Sequence, residues 1–478
     1  MPQENNESQI VSPSFRDRIA TVDAIGKRKW VYAQKPKGTF YNARTVVSWG
    51  FFILFLTLPF IKVNDRPLFL FNIPEAKFIL FGAIFWPQDF FIFGLIMVSF
   101  IVFIVLFTAA FGRLFCGWVC PQTIFMEMLF RKIEFWIEGN AAQQKDLDQS
   151  NWTLKKIRIK TTKHLIFFGI AFIIANYFLA YIIGIDNLWK IITEPFLKHW
   201  VGFLSLVIFS TVFYAVYAYF REQACTVVCP YGRLQSVLLD RNSMIVAYDY
   251  KRGEPRTRKL YEANENKSGD CVDCFQCVRV CPTGIDIRNG TQMECIGCTA
   301  CIDACNQVMN RMKRPRGLIS YISENGIANR QPLQYTGRMK FYTLLLVVLT
   351  GLLTMLLITR KDIDGTIVRT RGQLYQEHST DSISNLFDIR IINKTMKQKN
   401  IQLRIEAPLD NVGKISMVGK NTIPLLREDQ STATFFVILP KKIITKRTIP
   451  IRIGLYENGK RITSINSKFT GPFIKQLL

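Results

Sequence analysis

Two stretches of the chain carry the same sulfur chemistry. Residues 116–121 read CGWVCP and residues 225–230 read CTVVCP, so C-x-x-x-C-P recurs 109 residues apart. Each copy follows a long apolar run. On a helix, residues i and i+4 share a face, so each copy could present two sulfurs together. Two copies could then meet as one four-thiol site made of Cys116, Cys120, Cys225 and Cys229. Thiolates suit soft metals, Cu(I) first, and also zinc or an iron–sulfur cluster. They also cycle between dithiol and disulfide. A buried cysteine is otherwise a small hydrophobe, which is the plain alternative. Residue type and spacing leave these readings open.

The other eight of the 12 cysteines are more specific. Cys271, Cys274, Cys277 and Cys281 form C-x2-C-x2-C-x3-C followed by Pro282; Cys295, Cys298, Cys301 and Cys305 repeat the spacing, followed by Asn306. This is the bacterial ferredoxin run, in which the fourth cysteine of each set ligates the other cluster. Three cysteines spaced by two wrap three corners of a cubane, and the fourth corner comes from elsewhere. The expected ligand sets for two [4Fe–4S] clusters are Cys271, Cys274, Cys277 and Cys305, then Cys281, Cys295, Cys298 and Cys301. Gly284 and Gly297 beside these ligands suit close backbone approach to a cluster. Structural zinc sites draw cysteines as separated pairs, and disulfides do not persist in a reducing cytoplasm. His164, His199 and His378 are the only histidines. His164 and His199 fall at opposite ends of neighbouring apolar runs, which argues against a bis-histidine haem. Their plainer role is anchoring at the interface. No G-x-G-x-x-G after a strand and no P-loop occurs, so no nucleotide cofactor is implied.

These cysteines must be held by membrane elements. The chain is 49% hydrophobic with 38 Phe, yet its formal charge is +25. Apolar composition with clustered Lys and Arg points to a membrane protein with basic cytoplasmic loops and anionic lipid contact. Nucleic-acid binding is set aside because no nucleic-acid module is recognisable. A spanning helix needs about 20 apolar residues. Five uncharged runs suit that length: Thr45–Ile61, Phe90–Gly112, Leu165–Ile185, His199–Phe220 and Phe341–Thr359. A shorter run, Phe78–Gln88, contains Pro87 and reads as an interfacial or re-entrant segment. The first run follows a long polar segment and lacks a small-residue cleavage site, so it is not a signal peptide.

Loop charge sets the orientation. Residues 113–164 hold nine Lys or Arg, against three in 62–89 and two in 186–198. The N-terminal segment adds Lys27, Arg28, Lys29, Lys35 and Lys37. The positive-inside rule then places the N-terminus, 113–164 and 221–340 in the cytoplasm and 360–478 outside, in the periplasm of a bacterium. Both C-x-x-x-C-P copies lie on the cytoplasmic side. Phe111 aligns with Phe220 and Leu129 with Leu238, which describes a duplicated unit of hairpin, cysteine turn and surface helix. Membrane sites are often built where two such repeats meet.

Beyond residue 360 the pattern changes. FDIRII (387–392), IQLRIE (401–406), KISMVG (414–419), TATFFVIL (432–439) and TIPIRIGLY (448–456) alternate like strands, and ENGK at 457–460 is a hairpin turn signal. About seven short strands suggest an Ig-like sandwich. From residue 360 onward there are 21 Lys or Arg against 10 Asp or Glu, which could face anionic lipid or an acidic partner.

The expected molecule is therefore a multi-domain membrane protein. It has a cytoplasmic N-terminal segment (1–43), four helices with two cysteine repeats (44–250) and a cytoplasmic two-cluster ferredoxin domain (251–338). A fifth helix (339–360) leads to a periplasmic all-β Ig-like domain (361–478). Over nearly its whole length it resembles the cytochrome c oxidase accessory family called CcoG, FixG or RdxA. The resemblance is carried by WPQD (86–89), CGWVCPQT (116–123), CTVVCPYGRLQSV (225–237) and DYKRGEPR (249–256). It continues in the cysteine run at 270–305, RPRGLISY (314–321) and INKT (392–395). Asn306 departs from the Asp usual in the family, beside a ligand rather than at one.

The resemblance implies an inner-membrane cupric reductase. It would reduce Cu(II) to Cu(I) for assembly of the copper centre of a cbb-type cytochrome oxidase. Cys116, Cys120, Cys225 and Cys229 would hold copper as a transient substrate. Partners would be oxidase assembly factors or a copper chaperone or transporter, and a homodimer is compatible. Two other functions share the plan. One is a quinol-oxidising membrane ferredoxin that passes electrons to a periplasmic partner, although such relatives typically lack this Ig-like domain. The other is a non-enzymatic scaffold for oxidase assembly.

Overall fold

The computed structural model describes residues 20–472, apart from 23–24, 64–65, 74–76, 82, 87–88, 196–197, 199, 257–268, 333, 371, 373, 380, 396 and 428. The chain divides into two compact units, Met1–Thr354 and Met355–Leu478. Among the described residues five helices are long and apolar enough to cross a bilayer: Thr39–Phe60, Phe90–Phe111, Leu154–Ile183, Trp200–Phe220 and Gly337–Ile358. They overlap the five apolar runs. The third starts well before its run, at Leu154, because Thr153 caps it by accepting from the Lys156 amide.

The short run expected to be interfacial or re-entrant holds no spanning helix among the described residues; its residues 78–80 and 83–85 lie in an antiparallel meander of Phe69–Asn72, Lys77–Leu80 and Ala83–Phe85. A helix of that run would reach only about 16 Å, roughly half the hydrocarbon thickness. Pairing as strands satisfies the backbone locally and buries Leu70, Ile79 and Ile84 together. Pro87 and Gln88 of the run, and His199, lie outside the described residues.

The first, third and fourth long helices meet on aromatic side chains. Phe55, Phe125, Phe130, Phe167 and Tyr217 are buried together. Phe130 lies flat on Tyr217 at 4.5 Å and edge-on to Phe167 at 4.9 Å, geometries the ring quadrupoles favour. The second and fifth helices leave Phe100, Ile101, Leu344 and Val347 exposed, which costs nothing where lipid is the solvent.

The cysteine-rich region is built on one antiparallel pair, Ile245–Tyr248 with Ile319–Ile322. Its two cysteine runs have matching backbones. Asp273 and Gly297 have φ 49° and 67°, and Phe275 and Thr299 have φ 58° and 63°. Phe275 and Thr299 open the helices Gln276–Arg279 and Ala300–Arg311. Left-handed residues between ligands curl a loop into a concave row of amides.

The second unit is a β-sandwich. One sheet orders Lys414–Met417, Gln430–Pro440, Ser382–Asn393 and Ile363–Arg369, with Gln376–Ser379 also on Ser382–Asn393. The other orders Ile423–Leu425, Lys399–Ile405, Thr448–Glu457 and Lys460–Thr470. Phe387, Ile389 and Ile391 point inward while Asp388 and Arg390 point out, as a period of two requires. Asn458 and Gly459, at φ 48° and 79°, make the expected hairpin turn. Asn393 of INKT is buried. Its amide donates to the Lys397 and Leu426 carbonyls while its oxygen accepts from Thr395.

Candidate metal centre

The two C-x-x-x-C-P copies share one backbone design. The second long helix ends at Phe111 and the fourth at Phe220. The next residues, Gly112 and Arg221, both bend to positive φ, at 58° with ψ −134° and 50° with ψ −120°. Cys116 and Cys225 then lie in the short helical turns Leu114–Trp118 and Ala224–Val228. Each turn closes from the second cysteine: Cys120 N donates to Phe115 O and Cys229 N to Ala224 O, both at 2.9 Å. Cys120 and Cys229 are extended N-cap residues, and Pro121 and Pro230 open the following helices. Proline disfavours helical backbone in the residue before it and suits the first helical position. The paired sulfurs therefore do not share the face of one continuous helix. The helix breaks at the second cysteine, which sits at the N-terminus of the next one.

All four thiols line one cavity of about 70 Å³, together with Arg113, Gln122, Thr123, Tyr231, Met293, Glu294 and Cys295. The repeats hold each other's first cysteine. Cys116 Sγ donates to Gln235 Oε1 at 3.1 Å, and Cys225 Sγ lies 3.9 Å from Thr123 Oγ1. Burial pushes the Cys116 thiol up to about 12, with Cys120 adding to the effect. Burial does the same to Cys225, again to about 12. A thiol must lose its proton to ligate a cation, so binding one there would release protons. Among the described residues no three His, Cys, Asp or Glu side chains stand close enough to clasp a single ion. Gripping one ion by several thiols requires their side chains to turn inward.

Two smaller cavities, about 20 Å³ each, lie in the cysteine-rich region. Cys271, Cys274, Cys277 and Cys305 line one, with Phe275, Val308, Met309 and Leu318. Cys281, Cys295, Cys298 and Cys301 line the other, with Ile285, Ile287 and Ile296, and Cys277 borders it too. Their donors are thiols in a largely apolar wall, with Tyr248 and Arg288 added in the first and Thr283 and Thr299 in the second and no carboxylate among the described lining residues, a set that fits an iron–sulfur cubane. Cys295 also borders the four-thiol cavity. The three cavities thus form a row, with Cys277 and Cys295 as shared walls.

Side chains that spacing did not reveal hold this row in place. Arg113 was legible only as a loop charge. Its guanidinium donates to the carbonyls of Met293, of Cys295 at 3.2 Å and of Gly232 at 2.7 Å. The last carbonyls of the second long helix have no partner within the helix. They accept instead from Ser243 Oγ at 2.7 Å, Met244 N at 3.1 Å and Tyr321 Oη. Asp303 caps the first long helix from outside, accepting from Phe40 N at 3.2 Å and Tyr41 N at 2.8 Å. Gly297 also permits a close approach of backbones, since a Cβ there would stand 2.9 Å from the Arg113 carbonyl oxygen. A Cβ on Gly117 would stand 2.7 Å from the Ile296 carbonyl oxygen. A Cβ on Gly284 would stand 3.2 Å from the Val31 side chain. These glycines let the cysteine turn and the ferredoxin loop touch backbone to backbone.

A buried ionic layer ties the repeats further. Glu134 accepts from both Arg221 terminal nitrogens, at 3.1 and 2.8 Å, and from Lys163 at 3.4 Å. Burial opposes its charge, but Arg221, Lys163 and Arg131 outweigh it and hold the carboxyl below its usual range. His164 Nδ1 is 2.8 Å from Tyr214 Oη.

Profiles of known families match three parts of the chain. A 4Fe-4S dicluster domain covers residues 220–324, a 4Fe-4S binding domain 93–140, and an Ig-like fold at the C-terminus of FixG 353–472. The nitrogen fixation protein FixG of Rhizobium meliloti is 32% identical over 463 residues, 87% of either chain. The chain belongs to the FixG family. Protein RdxA of Cereibacter sphaeroides is 30% identical, over 79% of this chain and 82% of its own. Protein RdxB of the same organism is 30% identical, over 82% and 84%. A solved FixG-related protein from Vibrio parahaemolyticus aligns at 17% identity and a TM-score of 0.20, over 24% of this chain and all of its own. As a FixG relative the chain is an iron–sulfur electron-transfer protein. Both C-x-x-x-C-P pairs fall inside the 4Fe-4S profiles.

Proposed function

We propose that this FixG-family protein is a membrane cupric reductase that converts Cu(II) to Cu(I) at Cys116, Cys120, Cys225 and Cys229. The Cu(I) would serve assembly of the copper centre of a cbb-type cytochrome c oxidase, handed on through a copper chaperone, a transporter or an assembly factor. The observation that carries this reading is the row of three thiol-lined cavities with Cys277 and Cys295 as shared walls. Cys271, Cys274, Cys277 and Cys305 would hold one [4Fe–4S] cluster, and Cys281, Cys295, Cys298 and Cys301 the second. Such clusters supply one-electron chemistry, and Cu(II) takes up one electron on becoming Cu(I).

The four thiols favour the soft product ion. Arg113, at the shared wall, places positive charge beside the thiolates that copper binding creates. Gln235 and Thr123 orient the first cysteine of the opposite repeat. Loop charge supports an inner-membrane orientation with the N-terminus and ferredoxin region in the cytoplasm and the sandwich in the periplasm.

The test uses full-length protein purified without oxygen in detergent. Iron analysis should give about eight iron atoms per chain, and Cys274→Ser with Cys298→Ser should empty both sites. Chemically reduced protein, freed of excess reductant, should abolish the EPR signal of added Cu(II) and deliver Cu(I) to a chelator. An unchanged Cu(II) signal overturns the reading. Quinol oxidation by the same sample would favour the quinol-oxidising alternative.

A further inference from the structure

The four-thiol cavity has a rim with its own ligand chemistry. Among the described residues that line it, Glu294 contributes the one carboxylate and Met293 the one thioether. Met293 is 54% exposed and Glu294 partly exposed. They directly precede Cys295, the shared wall, so the chain runs Met293, Glu294, Cys295 from solvent inward. Arg113 fixes this stretch by donating to the Met293 and Cys295 carbonyls.

The order of donors matters because copper changes character on gaining an electron. Cu(II) accepts hard oxygen ligands, whereas Cu(I) prefers thiolate and thioether sulfur. A carboxylate and a thioether at one rim, above four thiols, offer each oxidation state a ligand at the point of passage. Resting on the copper reading of the four thiols, we propose that Glu294 and Met293 form the copper gate of the cavity. Glu294 captures incoming Cu(II), and Met293 takes Cu(I) from the thiols on its way out. The gate binds and passes the ion by ligand exchange, each thiol releasing a proton as it takes up copper and regaining one as it gives copper up.

The test reads binding and transfer, so it does not depend on reductase activity. In oxidised full-length protein, Cu(II) binding is followed by EPR titration. In anaerobic protein loaded with Cu(I), transfer to a bathocuproine chelator is timed. Glu294→Gln should weaken Cu(II) binding about tenfold, with Cu(I) affinity and iron content unchanged, and Glu294→Asp should restore most of the loss. Met293→Ala should slow Cu(I) transfer about fivefold without altering Cu(II) binding, and Met293→Cys should preserve the rate.

The gate is overturned if Glu294→Gln leaves Cu(II) binding unchanged, or if Met293→Ala leaves the transfer rate unchanged. Loss of iron in Glu294→Gln also overturns it, since the side chain would then serve the neighbouring cysteine cavity. Wild-type protein that binds copper but does not reduce it refutes the reductase reading alone. Wild-type protein that binds no copper refutes both.

Discussion

Cys120 and Cys229 each precede a proline, and that placement governs their chemistry. The proline keeps the cysteine extended and starts a helix behind it, so each second thiol stands at a helix N-terminus. Cys116 and Cys225, held by Gln235 and Thr123 of the opposite repeat, complete a site that neither repeat can build alone. Cys116→Ser should therefore remove most Cu(I) binding, roughly 90%, and adding Cys225→Ser should lower it by less than about twofold more, because groups acting as a unit are not additive. Chelator competition on anaerobic protein measures both. Independent, multiplicative losses would mean two separate pairs. Iron content should not change, since none of the proposed cluster ligands is touched.

Among the elements, the first long helix shows how the ferredoxin region is fixed to the membrane part. Its first amides donate to the Asp303 carboxylate, which is only 4% exposed. An acidic cap satisfies orphan N–H groups and complements the helix dipole. Gly38 makes the contact possible, since a Cβ there would stand 2.3 Å from the Asp303 carboxyl carbon. Asp303→Ala should cost about 1 kcal/mol locally, or roughly fivefold in the open population. Hydrogen exchange at the Phe40 and Tyr41 amides should quicken by that factor, and Asp303→Asn, which keeps an acceptor, should fall between. Unchanged exchange would show that packing alone holds the junction.

The whole molecule divides between a membrane and ferredoxin unit and a separate sandwich with its own core. Among the described residues five helices have spanning length; five crossings would put the two ends of the chain on opposite sides. By loop charge the N-terminus is expected inside. Alkaline phosphatase fused after Leu478 should therefore be active outside the inner membrane, and the same enzyme fused after residue 253 should be inactive. A stable but inactive C-terminal fusion would refute the orientation.

Much of this was legible in the sequence because the constraints are local. Bilayer thickness dictates helix length wherever the helix goes, so the five apolar runs marked the five long helices. Sheet pleating imposes a period of two, so five of the sandwich strands and the Asn458–Gly459 turn were readable. The short strands Gln376–Ser379 and Ile423–Leu425 carried too few residues to show a period. The short run Phe78–Gln88 showed no strand for a related reason, since a short apolar run does not distinguish strand from helix. Cysteine spacing marked the candidate ligands, since the corners of a cubane constrain neighbouring residues. Only the tertiary structure decided what joins them. Asp303 meets Phe40 across 263 positions, and Arg113 meets Cys295 across 182. Such contacts leave no periodic trace in either segment. That Cys277 and Cys295 are walls common to adjoining cavities follows from how separate loops pack, and no spacing within one loop could encode it.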